Sequence, residues 1–239
     1  VYKTNLFMIP VFGQAKNEAK RVVLAEGEDE RVLHATQEIV SQGLAKPILI
    51  GRPAVIAKRI EKLGLKLEAG KDFDLVNNES DPRFGDYWKE YYNLMKRKGV
   101  SQEQARRRVI GNTTLIGALM VRRGEADALI CGTYGTYRQH LDIVRDVIGY
   151  AREDKVAGAM NALILPTGNI FITDTYVNES PDAPQLAAIT EMAARAVSRF
   201  GIAPKVALLS NSSFGTWNTE GASKINRGES RRAEGSLRR

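Results

Sequence analysis

A single cysteine, Cys131, in 239 residues excludes an internal disulfide and points away from an oxidising compartment. Nowhere do 18 apolar residues run together, so no segment qualifies as a membrane-spanning helix. Residues 1–10 lack the charged segment, apolar run and small-residue cleavage site of a signal peptide. The chain therefore reads as cytoplasmic, with no membrane partner. It begins at Val1 rather than methionine, and it reads as a fragment. There is no Gly-x-Gly-x-x-Gly, no Walker loop and no Gly-x-Ser-x-Gly elbow, which argues against the usual dinucleotide, P-loop and serine-hydrolase routes. Only two histidines are present, with no second one at ligand spacing, so no metal site is expected. The net charge is +7, but residues 217–239 carry six basic and three acidic side chains, leaving +4 on residues 1–216. With no zinc-finger spacing, aromatic RNA-binding motif or basic zipper beside that charge, a nucleic-acid partner is not expected.

What is present is a chain 43% hydrophobic, enough to bury a core. Residues 1–20 pass from a short apolar patch to a polar stretch and read as a linker or docking arm. Residues 22–24 form an apolar run closed by Glu26-Gly27-Glu28-Asp29, after which apolar positions recur at helical spacing up to Gly43. Residues 47–50 and the helix from Pro53 to Gly64 repeat that pattern, and two successive strand-helix units favour a parallel sheet. The aromatic stripe Tyr87, Trp88, Tyr91, Tyr92 reads as packing. The helix carrying Arg106-Arg107-Arg108 is predicted to run on to Gly124. A buried strand over 126–131 enters the loop 132–137, and a helix follows to Gly149. After Tyr150, residues 160–165 and 170–177 flank Pro166-Thr167-Gly168-Asn169 as a β-hairpin, Pro184 starts a helix, and 205–210 returns as a strand. This divides the chain into a first α/β subdomain at 21–149, the start of a second at 150–216, and a polar, disordered tail at 217–239.

Two loops stand out because both follow strands and both are rich in hydroxyl and glycine residues. Thr133 and Thr136 lie in one, and Ser210, Asn211, Ser212 and Ser213 in the other. In an open α/β sheet, ligands bind beyond the carboxyl ends of strands, where backbone amides and small hydroxyls can approach a phosphate or thioester oxygen. These six residues are the candidate acyl-CoA or phosphate ligands, with plain capping and turns as the other reading. His34, His140 and Cys131 read as structural rather than catalytic. Asp142 and Asp146, four apart on one helix, read as an ion-pair cluster with Arg138 and Arg145. Asp174 interrupts a β run, where a sheet edge is the simpler account.

The segments 23–33, 124–132 and 174–178 together resemble the phosphate acetyl/butyryltransferase family, in matching order. Residues 1–8, 77–84 and 158–163 resemble more closely the carboxyl-terminal region of bacterial NADP-dependent malic enzymes. The resemblance covers residues 1–216 and stops at Thr216. It implies a three-layer α/β/α, isocitrate-dehydrogenase-like fold of two subdomains around a cleft, truncated at the carboxyl terminus. Active members of the family move an acetyl group between coenzyme A and phosphate. They carry a histidine and an arginine where this sequence aligns Gly135 and Asp142, and an aspartate there repels phosphate. The resemblance therefore implies no catalytic residue here, but a regulatory, oligomer-forming region with acetyl-CoA as ligand and a malic-enzyme half as its amino-terminal partner. NADP and Mg or Mn would serve that parent and not this chain. A phosphate acyltransferase and a ligand-free assembly scaffold are the alternatives.

Overall fold

Why the chain alternates strand and helix is visible at each junction. The computed structural model describes residues 2–151 and 155–209. Strand β1 (Lys20–Leu24) ends in an acidic turn, and the Asp29 side chain accepts the Arg31 N–H at the start of α2 (Glu30–Gln42). Gly43, at φ +66°, stops that helix in the left-handed conformation that a Cβ would disfavour. Strand β2 (Ala45–Ile50) and helix α3 (Pro53–Leu63) repeat the unit, with Pro53 in the first turn and Gly64 past the end. The three-residue β3 (Asp74–Val76), too short to announce itself in the sequence, then pairs with β2. The sheet is parallel, in the order β3-β2-β1-β4, where β4 is Ala128–Ile130.

Side-chain alternation sorts the core into two faces. Val23, Ile48 and Ile50 point to one side and pack with Tyr87, Tyr91, Ile116 and Leu119 from helices α4 (Phe84–Met95) and α6 (Thr113–Arg122). Leu24 and Leu49 point to the other, against Leu33 of α2 and Ile56 of α3. The result is helices on both faces of a mostly buried parallel sheet, a three-layer α/β arrangement. The aromatic stripe of α4 is core, as its spacing predicts.

Several local expectations change. Residues 2–17, read as a linker or docking arm, form helix α1 (Tyr2–Asn17), Pro10 included. The helix expected to continue from Arg106 to Gly124 is two helices, α5 (Gln102–Ile110) and α6. They part at Gly111-Asn112, where the Asn112 side chain caps α6 by accepting the Leu115 N–H. Strand β4 is shorter than predicted and Ile130 is exposed, because β4 has only β1 beside it among the described residues. Helix α7 (Tyr137–Val147) follows.

Two compact units are distinguished: one is Phe12–Gly149, and the other gathers residues up to Val11 with those from Tyr150 onward. In the latter, β5 (Met160–Leu165) and β6 (Gly168–Thr173) form an antiparallel hairpin with Leu165 opposite Gly168. Its loop is thus two residues, Pro166-Thr167, rather than four. Helix α8 (Ala183–Ser198) is held by a capping box between Asp182 and Gln185. Residues 205–209 are not a strand: no ladder partner exists among the described residues, and Leu209 is 86% exposed. Among the described residues, no helix is long and apolar enough to cross a membrane.

Candidate functional site

In the unit Phe12–Gly149, the carboxyl ends of β1, β2 and β3 open into a groove of about 1180 Å³. Its walls come from the turn after β1, the Gly51-Arg52 turn, Asn78 after β3, the α5–α6 junction, and the loop that precedes α7. This is where an open parallel sheet presents ligand sites.

The organising side chain is Glu26, 4% exposed at the end of β1. Its Oε1 accepts the Gly132 N–H at 3.0 Å and its Oε2 accepts the Thr133 hydroxyl at 3.0 Å. A carboxylate that deep in the fold must be hydrogen-bonded, and these two bonds fix where the loop leaves β4. Arg31 fastens the same loop from outside. Its guanidinium pairs with Asp29 and donates to the Thr133 carbonyl at 3.0 Å. At the far end, Thr136 caps α7 by accepting the Gln139 N–H, in a reciprocal capping box.

His140 closes the loop's remaining side. Its Nε2 lies 2.9 Å from the Tyr134 carbonyl, which can only accept, so Nε2 carries the proton. Its Nδ1 is 3.0 Å from the Thr114 hydroxyl. Gly135 sits beneath this ring at φ +91°, and a Cβ there would come within 3.0 Å of Nε2. The imidazole that the sequence marked as structural lines the groove and keeps both ring nitrogens in contacts within the fold. His34 is exposed on α2, away from the groove lining.

Other expectations are settled by contacts. Asp142 pairs with Arg145 at 2.8 Å and Arg138 at 3.4 Å, while Asp146 pairs with Lys98 at 2.7 Å. Only half of the anticipated cluster is thus internal to α7. Burial pushes the Cys131 thiol above its ordinary range, and the Glu26 charge adds to the shift, so the thiolate is disfavoured. Asp174 lies just past β6 and organises a turn: it accepts the Ala159, Val177 and Asn178 N–H groups and the Asn178 side chain. Burial raises its pKa, but these donors outweigh burial and hold it below the usual aspartate range.

Of the six candidate ligands, Thr133 and Thr136 flank the groove-lining Tyr134 and Gly135 without lining the groove themselves: Thr133 donates its hydroxyl hydrogen bond to Glu26, and Thr136 serves as a cap. Ser210, Asn211, Ser212 and Ser213 lie outside the described residues. Sequence reasoning missed Glu26 as a site residue, although Ala25-Glu26-Gly27 lies inside a segment that carries the resemblance. Carboxylates dominate the lining. Glu26, Glu28, Asp29, Glu79, Asp142 and Asp146 face Arg52, Arg59, Arg107 and Arg108. Arg52 is itself consumed, bidentate on Glu28, and it draws the Glu28 carboxyl below its usual range. Arg108 donates to the Tyr91 hydroxyl at 3.1 Å and makes no ion pair among the described residues. No group of three or more histidine, cysteine or acidic side chains suited to a metal occurs among the described residues.

The family model for phosphate acetyl/butaryl transferase matches residues 6–229, running past Thr216, where the motif resemblance stops. An NADP-dependent malic enzyme of Salmonella typhimurium is 65% identical over 225 residues, and its counterpart in Escherichia coli is 64% identical. Each comparison covers 94% of this chain, and the chain spans about 30% of the length of those relatives. A phosphate acetyltransferase of Corynebacterium glutamicum is 30% identical over 90% of this chain and 63% of its own. Among solved structures, the EutD phosphotransacetylase from Staphylococcus aureus superposes with a TM-score of 0.79, covering 98% of this chain and 71% of that one at 23% identity. That likeness shows a shared fold.

Proposed function

This chain belongs to the phosphate acetyl/butaryl transferase family, and from that premise we propose that it is a non-catalytic, acetyl-CoA-sensing and oligomer-forming region of an NADP-dependent malic enzyme. Such an enzyme oxidatively decarboxylates malate, using a divalent metal. The observation that carries the reading is the Asp142 carboxylate in the groove lining, at the position where the resemblance aligns an arginine in active members of the family. Acyl transfer to or from phosphate needs free donors and cations where negative charge develops. Here Asp142 is one of six carboxylates that line the groove, against four guanidinium groups. Identity of 65% to a malic enzyme, against 30% to a phosphate acetyltransferase, supports the malic-enzyme part of this assignment.

The residues present do not fit NADP. The turn between β1 and α2 is Glu26-Gly27-Glu28-Asp29, and its carboxylates stand where a dinucleotide's pyrophosphate would meet a helix start. Hydride transfer and malate chemistry therefore belong to a part of the enzyme outside this chain. Within this chain the groove is the compartment for the thioester, bordered by the loop that Glu26 and Arg31 hold.

The phosphate acyltransferase alternative is favoured by one observation, the 30% identity to such an enzyme across 90% of the chain. A single assay separates the readings. Acetyl-CoA is added to this chain and to the malic enzyme that contains it, and melting temperature and phosphate-dependent release of coenzyme A are followed. Stabilisation without turnover is expected. Turnover would make the chain an acyltransferase, and no response to acetyl-CoA would leave an assembly scaffold.

A further inference from the structure

The loop between β4 and α7 borders the groove, and its two halves are held differently. The inner half is fixed, because Glu26, 4% exposed, accepts the Gly132 N–H and the Thr133 hydroxyl at 3.0 Å each. Breaking those bonds would strand a buried carboxylate. The outer half hangs on weaker contacts. The Tyr134 carbonyl accepts from His140 Nε2 at 2.9 Å in an exposed bond. Arg31 reaches the Thr133 carbonyl from a side chain 69% exposed, and it already pairs with Asp29. Solvated contacts of this kind exchange readily with water.

The backbone of the outer half is free to turn. Gly132 at φ +101° and Gly135 at φ +91° bracket Thr133 and Tyr134. Glycine passes between the left- and right-handed regions at little cost, so the Tyr134–Gly135 peptide can rotate about Gly135 without strain. The His140 ring lies close against that peptide, and a Cβ at position 135 would stand only 3.0 Å from Nε2. Tyr134 lines the groove yet is 62% exposed, which puts it at the mouth rather than on the floor. Partial burial and the charges of Glu26 and Glu28 raise the pKa of its phenol, against a hydrogen bond with the Thr113 hydroxyl at the start of α6. The phenol therefore stays neutral beside the groove carboxylates, and its bond to Thr113 ties the loop to another wall of the groove.

We propose that residues 132–135 are a strap at the groove mouth, fixed at Glu26 and released at His140, and that Tyr134 is the gate it carries. His140 is the positioning residue. In the closed state its Nε2–H holds the Tyr134 carbonyl. In the open state the Tyr134–Gly135 peptide turns about Gly135 and Tyr134 swings away from Thr113, while Gly132 and Thr133 stay on Glu26. The strap stands on these contacts alone, whereas its gating of a thioester rests on the acetyl-CoA reading.

The test is limited chymotryptic digestion of the full chain, read by mass spectrometry with and without acetyl-CoA, for the unmodified protein, His140→Leu and His140→Gln. Melting curves check that each variant is folded, and cleavage after the fully buried Tyr87 reports global unfolding. Cleavage after Tyr134 needs the strap open, so its rate follows the open population. The expected result is cleavage after Tyr134 about fivefold faster in the leucine variant, with none of that acceleration after Tyr87. The glutamine variant, whose amide restores the donor, stays near the unmodified rate, and acetyl-CoA slows the cut. Equal rates after Tyr134 in the unmodified protein and the folded leucine variant overturn the strap, as does equal acceleration in both variants. If acetyl-CoA raises the melting temperature but leaves the Tyr134 cut unchanged, the gate is overturned and the sensor reading stands. If the variants behave as expected while acetyl-CoA changes neither melting nor cleavage, the strap is upheld and the sensor reading fails.

Discussion

The Thr133 hydroxyl donates to the Glu26 carboxylate at 3.0 Å, joining the end of β4 to the end of β1. With the Gly132 N–H on the other oxygen, this contact decides the path of the loop before α7. Replacing Glu26 by alanine leaves both donors without their buried acceptor. We expect a loss of about 2–3 kcal/mol in urea denaturation, against about 1 kcal/mol for Thr133→Val. The double variant should show a coupling of about 1 kcal/mol, and additivity of the two losses would mean the contact does not hold the loop.

Gly27 follows directly, and its position is steric. A Cβ there would stand 2.8 Å from the Ile50 carbonyl oxygen and 2.9 Å from the Leu49 Cβ, neither of which is a movable side-chain tip. Gly27→Ala is expected to destabilise by about 1–3 kcal/mol, through overpacking between β1 and β2. Gly85, which has nothing within 4 Å, is the control. Its alanine variant in α4 should be neutral or stabilising by up to about 1 kcal/mol.

Acid should unfold this protein through carboxylates that the fold holds ionised. Glu28, Asp29 and Asp81 are held below their usual carboxylate range by hydrogen bonds from Arg52, Arg31 and Arg83 respectively. Glu125 is raised by burial but lowered further by the Tyr87 hydroxyl, Arg123 and Arg83. A carboxyl depressed in the folded state contributes its stability above the unfolded value of about 4, and that stability is lost as pH falls toward the folded value. The melting temperature should be flat above about pH 5.5 and fall steeply below about pH 4.5. Asp81→Asn should lower stability by about 1–2 kcal/mol at pH 7 and make the acid limb shallower, since the Asp81 side chain is 8% exposed against Arg83. A limb of unchanged steepness would show that this pair does not drive the transition.

Cys131 should be a slow thiol. Burial and the nearby Glu26 charge both raise its pKa, so at pH 7 alkylation by iodoacetamide is expected to run at least about tenfold slower than for an unstructured peptide cysteine. Glu26→Gln removes the charge and should accelerate it. A rate equal to that of the free peptide would place the thiol in solvent.

The strand-helix alternation was legible because it is written in neighbouring residues. Asp29 and Asp182 cap the helices they precede, Gly43 and Gly64 end theirs, and alternate residues of β1 and β2 carry the apolar side chains of two faces. The break between α5 and α6 was less visible, because three consecutive arginines and the apolar run beyond them continue helical spacing across Gly111-Asn112. Residues 205–209 have strand composition, yet strand formation needs a partner ladder, which composition cannot supply.

What the sequence determined by itself was therefore the local grammar: caps, turns, apolar periodicity, and the parallel α/β class that follows from them. What only the tertiary structure decided was the meaning of the site residues. Thr133 looks like a free phosphate donor until Glu26, more than a hundred positions away, accepts its hydroxyl hydrogen bond. His140 looks like a helix residue until its ring closes over Gly135. The reason is physical: hydrogen-bonding capacity is finite, and which partner fills it depends on what the fold brings within about 3 Å.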